Sequence, residues 1–172
     1  NDVKQDQGLN CSVGVAPNKF LAKLATEEAK PKPSPTGPIP GIGVKVVHPG
    51  NVLDFLDPLS VKALWGVGPV TVKRLDQLGV IHVADLRKFP ETDLINALGR
   101  VQGSHLYRLA HGIDERNVKS DQVAKSISHE ETFADDLFDL AKIESEIHRM
   151  SDAVGKRLRE SSYLAKTINL KV

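Results

Sequence analysis

The feature that most constrains the fold is a short turn in which two glycines flank a valine and a proline follows, Gly66-Val67-Gly68-Pro69. Glycine has no Cβ, so the backbone can turn sharply here and come close to a ligand. Proline suits the first position of a helix, because its missing N–H would be unpaired there anyway. The sequence therefore predicts a helix, a tight turn and a second helix that begins at Pro69.

The second helix of this hairpin begins with amides that have no acceptor inside the helix. Such amides form an anion site, and the phosphates of a nucleic-acid backbone are held in this way without regard to base sequence. The candidate contacts are the amides of Gly66, Val67, Gly68 and Val70 and the side chains of Thr71 and Lys73. A purely structural corner between two helices has the same glycine pattern, so both interpretations stay open at this point.

Composition and charge limit the class of protein. With 172 residues, 40% of them hydrophobic, the chain can bury a core, and its net charge is only +1. The charge is segregated, because residues 62–125 carry ten Lys and Arg against seven Asp and Glu, whereas residues 130–139 are acidic. No apolar run approaches membrane-spanning length and no leader opens the chain, so we expect a cytoplasmic protein without a membrane partner.

Metal-binding patterns are absent from the sequence. The single cysteine, Cys11, excludes an internal disulfide and a multi-cysteine zinc site, and we expect it to be a small buried hydrophobe. The six histidines show no ligand spacing. Asp2 and Asp6 lie in a polar lead-in and are interpreted as solvated. We therefore expect no metal site built from Cys or His in this chain.

Residues 1–50 have the pattern of a strand, a helix and a second strand. Strands are predicted over residues 9–15 and 44–47, and a helix over residues 17–29, whose apolar stripe is Phe20, Leu21, Leu24 and Ala25. Prolines end the helix, and a proline- and glycine-rich loop follows as far as Gly43.

Residues 51–115 consist of short helical patterns separated by glycine and proline. Helices are predicted over residues 61–65, 83–88, 92–98 and 104–111. Trp65, inside the first of these helices, is expected to belong to the hydrophobic core of the block. Residues 97–103 repeat the glycine-turn pattern more loosely. Gly103 is therefore a candidate contact for a second phosphate of the same duplex.

Residues 116–172 combine strand and helix patterns. Strands are predicted over residues 122–133 and 164–172, and an amphipathic helix over residues 137–160. Lys125, Ser126 and Ser128 of the first strand are candidates to lay hydroxyl and ammonium groups along one strand of DNA, but any half-exposed strand alternates in the same way, so both interpretations stay open. The chain stops within an apolar alternation, so we expect a truncated β-α-β portion.

Ordered motifs in all three blocks resemble the Y-family translesion DNA polymerases, with the bacterial polymerase IV type as the best match. The motifs are SVGVAPNKFLAKLA at residues 12–25, AKP at 29–31, LWGVG at 64–68 and KSISHEETF at 125–133. The resemblance implies an α+β fold in three parts. These are the C-terminal part of a palm (residues 1–50), a helical thumb with helix-hairpin-helix turns (51–115), and a linker with the start of a little finger (116–172).

The resemblance also implies a chemistry that lies mostly outside this chain. The family transfers nucleotides with two Mg²⁺ ions, whose carboxylate ligands lie in palm segments upstream, so the chain alone should be inactive. The implied partners are primer-template DNA, a deoxynucleoside triphosphate and the sliding clamp, the last through regions not present. Lys30 matches the lysine that contacts the triphosphate, but the repeated Lys-Pro leaves Lys30 and Lys32 both open. Lys23, on the polar face of the preceding helix, is a further candidate.

A second hypothesis is a stand-alone helix-hairpin-helix module that binds DNA or serves as a repair scaffold without catalytic activity. The palm-like strand and the Lys30 segment favour the polymerase, because a binding module has no use for them.

Overall fold

The computed structural model of the protein describes residues 2–120 and 123–171, which divide into two compact units, Asn1–Val118 and Lys119–Val172. The three-part division at residues 50 and 115 stays a prediction. The first unit contains one small sheet and seven α-helices among the residues described, and the second contains one α-helix. In chain order the elements are α1 (Asp2–Gln7), β1 (Val13–Val15), α2 (Lys19–Ala29), β2 (Val44–Val46), α3 (Val52–Leu56), α4 (Pro69–Gln77), α5 (Val83–Leu86), α6 (Glu91–Leu98), α7 (Arg100–Ala110) and α8 (Leu140–Glu160).

The strand–helix–strand order predicted for the start of the chain is confirmed. β1 and β2 pair in parallel, with Val13 opposite Val44, and α2 packs on one face of this sheet. Gly14 makes the close approach possible, because a Cβ there would lie 2.1 Å from the Ala22 carbonyl oxygen. The helix begins two residues later than predicted, since the side chain of Asn18 accepts a hydrogen bond from the amide of Leu21 and caps it.

One hydrophobic core serves the whole first unit. The predicted stripe of α2 is buried, and its Phe20, Leu21 and Leu24 pack in the same cluster as the leucines and valines of the short helices. Other members of this cluster are Leu56, Val61, Leu64, Leu75, Val80, Val83, Leu86, Leu94, Leu98, Leu106, Leu109 and Ala110. The helical block therefore rests directly on α2, which positions its turns relative to the sheet.

Two helix predictions in this block are wrong. Residues 61–65 form only a short 3₁₀ turn, Val61–Ala63, and Trp65 lies beyond it with 56% of its surface exposed, so it is not a core residue. The last helix starts at Arg100 and not at Ser104, because Gly99 takes a positive φ of 89° and begins α7 at once. Gly103 consequently lies inside α7.

The second unit differs most from its prediction. Its helix is present as α8 and is capped by the Asp139 side chain, which accepts from the amide of Ala141. The two predicted strands are not observed in residues 123–133 and 164–171, while Gln122 and Val172 lie outside the described residues. A strand exists only when its amides and carbonyls pair with another edge, and no such partner occurs in the described part of this unit. None of its described residues is buried.

Three smaller expectations can be compared with the structure. Cys11 is exposed, so the prediction that it is buried is wrong. Asp2 and Asp6 lie on the exposed helix α1, as expected of solvated residues, although the helix itself was not predicted. None of the helices in residues 2–120 and 123–171 combines the length with the apolar character that a membrane span requires.

Candidate nucleic-acid interface

Residues 66–68, here called the first glycine turn, join the 3₁₀ turn to α4. Gly66 has a positive φ of 87°, a conformation that favours glycine. Val67 donates its amide to the Leu64 carbonyl at 3.2 Å, and Leu64 itself is buried in the core. Gly68 is the N-cap of α4 and has no side chain to cap it, while Pro69 occupies the first helical position as predicted. The turn is thus anchored at one end and open at the other.

The open end presents amides toward solvent. The amide of Val72 donates to the Gly68 carbonyl at 2.9 Å, which closes the first turn of α4. In the part of the chain that the structure describes, the amides of Gly66, Gly68, Val70 and Thr71 have no acceptor. Of the four amides predicted to bind phosphate, only that of Val67 is engaged inside the turn.

Cationic side chains follow on the same helix. Lys73 and Arg74 are exposed, and neither forms an ion pair with any described residue. Thr71 is half-buried beside them. Arg74 belongs to the last turn of α4, so the helix dipole and Lys73 are what favour an anion near the start of the helix.

The start of α5 shows the opposite arrangement. Asp85 accepts hydrogen bonds from the amides of His82 at 2.9 Å and Ile81 at 3.2 Å, so this helix is capped by its own carboxylate. The hydrogen bond from Lys88, together with those two amides, holds the pKa of Asp85 far below its ordinary value. The carboxylate of Asp85 thus occupies the place that an external anion would take at these two amides.

The predicted second phosphate turn is replaced by helix packing. Gly103 is buried in α7, and a Cβ on it would lie 2.5 Å from backbone atoms of Leu94 and Ile95 in α6. The prediction that Gly103 contacts DNA therefore lacks its structural basis. The first turn of α7 still adjoins the first glycine turn, because Gln102 Nε2 donates to the Gly66 carbonyl at 2.8 Å.

Trp65 brings together residues that sequence reasoning left apart. Lys23 Nζ lies 4.6 Å from the centre of the indole ring, and Arg116 Cζ lies 5.3 Å from it. With Lys19 and Phe20, these residues line an open cleft of about 220 Å³. Arg116 was not among the predicted site residues, and its position after the helical block carried no local signal of contact with Trp65.

The two candidate triphosphate lysines have equivalent surroundings. Lys30 Nζ lies 2.7 Å from Glu27 Oε1, and Lys32 Nζ lies 3.3 Å from Glu28 Oε2; all four side chains are exposed. The geometry does not favour either lysine, so both stay predictions.

The predicted DNA contacts of the second unit lie in a segment without regular structure. Lys125, Ser126 and Ser128 are exposed, and the Ser128 carbonyl accepts from Arg157 of α8 at 2.8 Å. Just beyond, Glu131 pairs with Arg149 at 2.7 Å, which lowers the pKa of the Glu131 carboxyl. This segment is therefore held on α8 by two arginines and not by strand pairing.

A metal site needs several His, Cys, Asp or Glu side chains close together. Within residues 2–120 and 123–171, no three His, Cys, Asp or Glu side chains come together in a way that could hold a metal ion. The described residues therefore do not fit a Mg²⁺ site.

Two family models match the chain. One, described as "DNA polymerase-iota, thumb domain", matches residues 62–114, which include the first glycine turn. The other, described as "impB/mucB/samB family C-terminal domain", matches residues 124–172.

Relatives match the chain along its length. DNA polymerase IV of Streptomyces coelicolor is 36% identical over 171 residues, which are 99% of this chain and 34% of that protein. DNA polymerase IV of Streptococcus agalactiae serotype Ia is 40% identical over 171 residues, 99% of this chain and 44% of that protein. The chain thus spans less than half the length of these relatives.

Solved structures show the same relationship. "Insertion ternary complex of Dbh DNA polymerase" is similar over 69% of this chain and 31% of that chain, with 29% identity and a TM-score of 0.55. "Crystal Structure of DinB from Sulfolobus solfataricus" covers 64% of this chain and 30% of that chain, with 31% identity and a TM-score of 0.50. By these matches in sequence and fold, the chain belongs to the Y-family DNA polymerases and is of the DNA polymerase IV type.

Proposed function

We propose that this chain is a DNA-holding part of a translesion DNA polymerase and that the first glycine turn grips the sugar–phosphate backbone. The observation that carries the proposal is the uncapped start of α4, where the amides of Gly66, Gly68, Val70 and Thr71 have no acceptor among the described residues. Lys73, one turn further along α4, forms no ion pair with a described residue. A phosphate oxygen at this point would accept hydrogen bonds from these amides, for which the described residues provide no acceptor.

Contacts of this kind suit a polymerase. Backbone amides carry no sequence information, so the turn would hold any DNA in the same register. Glycine at position 68 leaves open space, since a Cβ built there meets nothing within 4 Å. A phosphate can therefore approach the helix end without a steric barrier. Lys125, Ser126 and Ser128 of the second unit would add backbone contacts of the same class.

At the level of the whole polymerase, the proposal assigns residues 1–50 to the palm, 51–115 to the thumb and 116–172 to the linker and little finger. The relatives named above are DNA polymerases, which supports primer-template DNA and a deoxynucleoside triphosphate as partners and favours this proposal over a stand-alone binding module. Mg²⁺ chemistry, a sliding clamp and a cytoplasmic site of action belong to the same proposal. That the chain alone cannot extend a primer is a prediction, which a primer-extension assay tests.

The binding proposal is tested by fluorescence anisotropy with two labelled primer-templates of unrelated sequence at about 50 and 200 mM salt. We expect equal affinity for both sequences and a linear fall of log affinity with log salt. Lys73→Met should make the salt slope shallower by about one. Lys4→Met, which removes an exposed charge on α1, is the matched control and should leave the slope unchanged. Binding that ignores salt, or no binding at low salt, would contradict the proposal.

The triphosphate contact is assigned to Lys30 or Lys32. In a longer polymerase that contains this chain, Lys30→Met and Lys32→Met are compared by the KM for the incoming nucleotide. Substitution of the lysine that contacts the triphosphate should raise the KM for the nucleotide, and substitution of the other lysine serves as the control. If neither substitution changes KM, the assignment is wrong.

A further inference from the structure

Trp65 lies one residue before the first glycine turn, and two cations from distant parts of the chain approach its ring. Lys23 comes from α2 and lies 4.6 Å from the ring centre, and Arg116 comes from the segment after α7 and lies 5.3 Å away. A cation within about 6 Å of an indole face is attracted by the ring quadrupole. The indole therefore joins three segments that are far apart in sequence.

The segment that supplies Arg116 is itself fixed in place. Arg116 forms two hydrogen bonds with the Asp114 carboxylate, at 2.7 and 3.0 Å, and only 4% of the Asp114 side chain is exposed. Lys19 Nζ donates to the Asn117 carbonyl at 2.9 Å, and Asn18 Nδ2 donates to the Gly112 carbonyl at 2.8 Å. The N-cap and the first residue of α2 thus hold the segment from residue 112 to residue 117, which carries Arg116 to the indole ring.

The first glycine turn needs such support. Two glycines within three residues make its backbone permissive. Among the described residues, its hydrogen-bonded anchors are the Val67 amide on the Leu64 carbonyl and the Gln102 side chain on the Gly66 carbonyl. Ordering flexible backbone at the moment of binding lowers affinity, so a turn that is already held binds more tightly. Trp65 is covalently next to Gly66, and holding the indole restrains the start of the turn.

We propose that Trp65 is a positioning residue for DNA binding, held by Lys23 and Arg116, and that Lys23 acts through the indole and not through a phosphate. The proposal rests on the function proposed above for the first glycine turn. It gives Lys23 a role different from the nucleotide contact expected from its place on the polar face of the helix. It also accounts for a tryptophan that is 56% exposed and yet has two cations at its ring.

The salt dependence of DNA binding separates the two roles of Lys23. Lys23→Met keeps the side-chain stem and removes the charge, so it should weaken DNA binding about threefold, as expected for an exposed cation–π contact. Its salt slope should equal that of the unchanged protein, because no phosphate contact is lost. Lys73→Met is the matched comparison, since loss of a phosphate contact makes the slope shallower by about one.

Non-additivity provides the second test. Trp65→Leu should weaken binding by a similar factor, and Lys23→Met should add nothing further in the Trp65→Leu background. Trp65→Phe should recover part of the affinity, because a phenyl ring still attracts a cation. Lys23 is chosen for the cycle because removing Arg116 would leave the nearly buried Asp114 carboxylate unpaired.

Intrinsic fluorescence gives a readout in the free protein, since Trp65 is the only tryptophan of the chain. Lys23→Met should shift the emission of Trp65 before any DNA is added, whereas Lys73→Met should not. A shallower salt slope for Lys23→Met, or full additivity with Trp65→Leu, would overturn the proposal and make Lys23 a phosphate contact. If neither the variants nor the unchanged chain bind DNA in a salt-dependent way, the proposal that the first glycine turn binds phosphate is wrong. The fluorescence shift would then still report the contact between Lys23 and Trp65.

Discussion

Gly68 and Gly103 occupy similar glycine patterns in sequence, yet the folded chain uses them in opposite ways. Gly68 lies at the open start of α4, where a Cβ would meet nothing within 4 Å. Gly103 lies within α7 and against α6, where a Cβ would fall 2.5 Å from backbone atoms. The first glycine leaves room for a ligand and the second leaves room for another helix. A glycine pattern therefore predicts close approach, but it does not tell what approaches.

The largest effect is expected at the packing glycine. Gly103→Ala should lower the free energy of unfolding by about 3 kcal/mol, because α6 and α7 must separate to admit the methyl group. Urea denaturation followed by Trp65 fluorescence measures this change.

The same substitution at Gly155 in α8 serves as the control for Gly103→Ala. There the new Cβ would meet only the end of the Arg159 side chain, at 3.3 Å, and alanine is the better helix former. We expect a neutral or stabilising effect at Gly155. Equal stability of Gly103→Ala and the unchanged protein would mean that the close packing of α6 and α7 is not as described.

An intermediate effect, with opposite signs for stability and binding, is expected at Gly68. Gly68→Ser places a hydroxyl at the N-cap of α4, where it can accept from an amide of the first turn and raise the free energy of unfolding by about 0.5 kcal/mol. The same hydroxyl competes with phosphate, so DNA affinity should fall about fivefold. Urea denaturation and anisotropy titration measure the two changes.

Gly50→Ser is the control for Gly68→Ser, since a Cβ at Gly50 also meets nothing within 4 Å and the residue lies in a separate 3₁₀ turn. It should leave DNA affinity unchanged. A Gly68→Ser protein that binds DNA as tightly as the unchanged protein would show that the amides of α4 do not hold phosphate.

The smallest effect is expected at the capped helix, α5. The pKa of Asp85 is lowered in the folded state by Lys88 and by the amides of His82 and Ile81, so the folded protein binds fewer protons than the unfolded chain at acid pH. The stability contributed by Asp85 is thus fully present above the unfolded pKa, near 3.8, and is lost as the pH falls through the lower folded value.

Urea midpoints between neutral and acid pH measure the contribution of Asp85. Asp85→Asn should be less stable than the unchanged protein at pH 7, and the difference should shrink as the pH falls. DNA affinity at pH 7 should not change, because α5 binds no phosphate in our proposal. A difference that grows toward acid pH would contradict the sign of the pKa shift.

The predictions that held rest on local rules. The stripe of Phe20, Leu21 and Leu24 repeats at helical spacing. Pro69 favours the first position of a helix whatever the tertiary surroundings are. Predictions failed where a distant partner decides. Trp65 lies next to a buried leucine and was predicted to be buried, but Lys23 and Arg116 hold it at the surface. The strands predicted around Lys125 and Ile168 pair with nothing in the described residues.

The amino-acid sequence by itself determined the helices α2, α4, α5 and α6 to within a few residues, the glycine turn that opens α4 and the family to which the chain belongs. These depend on residue spacing and on short motifs, which act within a few residues. Only the tertiary structure decided that Gly103 packs against α6, that Arg116 reaches Trp65, and which amides remain without an acceptor. Such outcomes depend on which surfaces meet when the core closes, and contacts between residues far apart in the chain leave no local pattern.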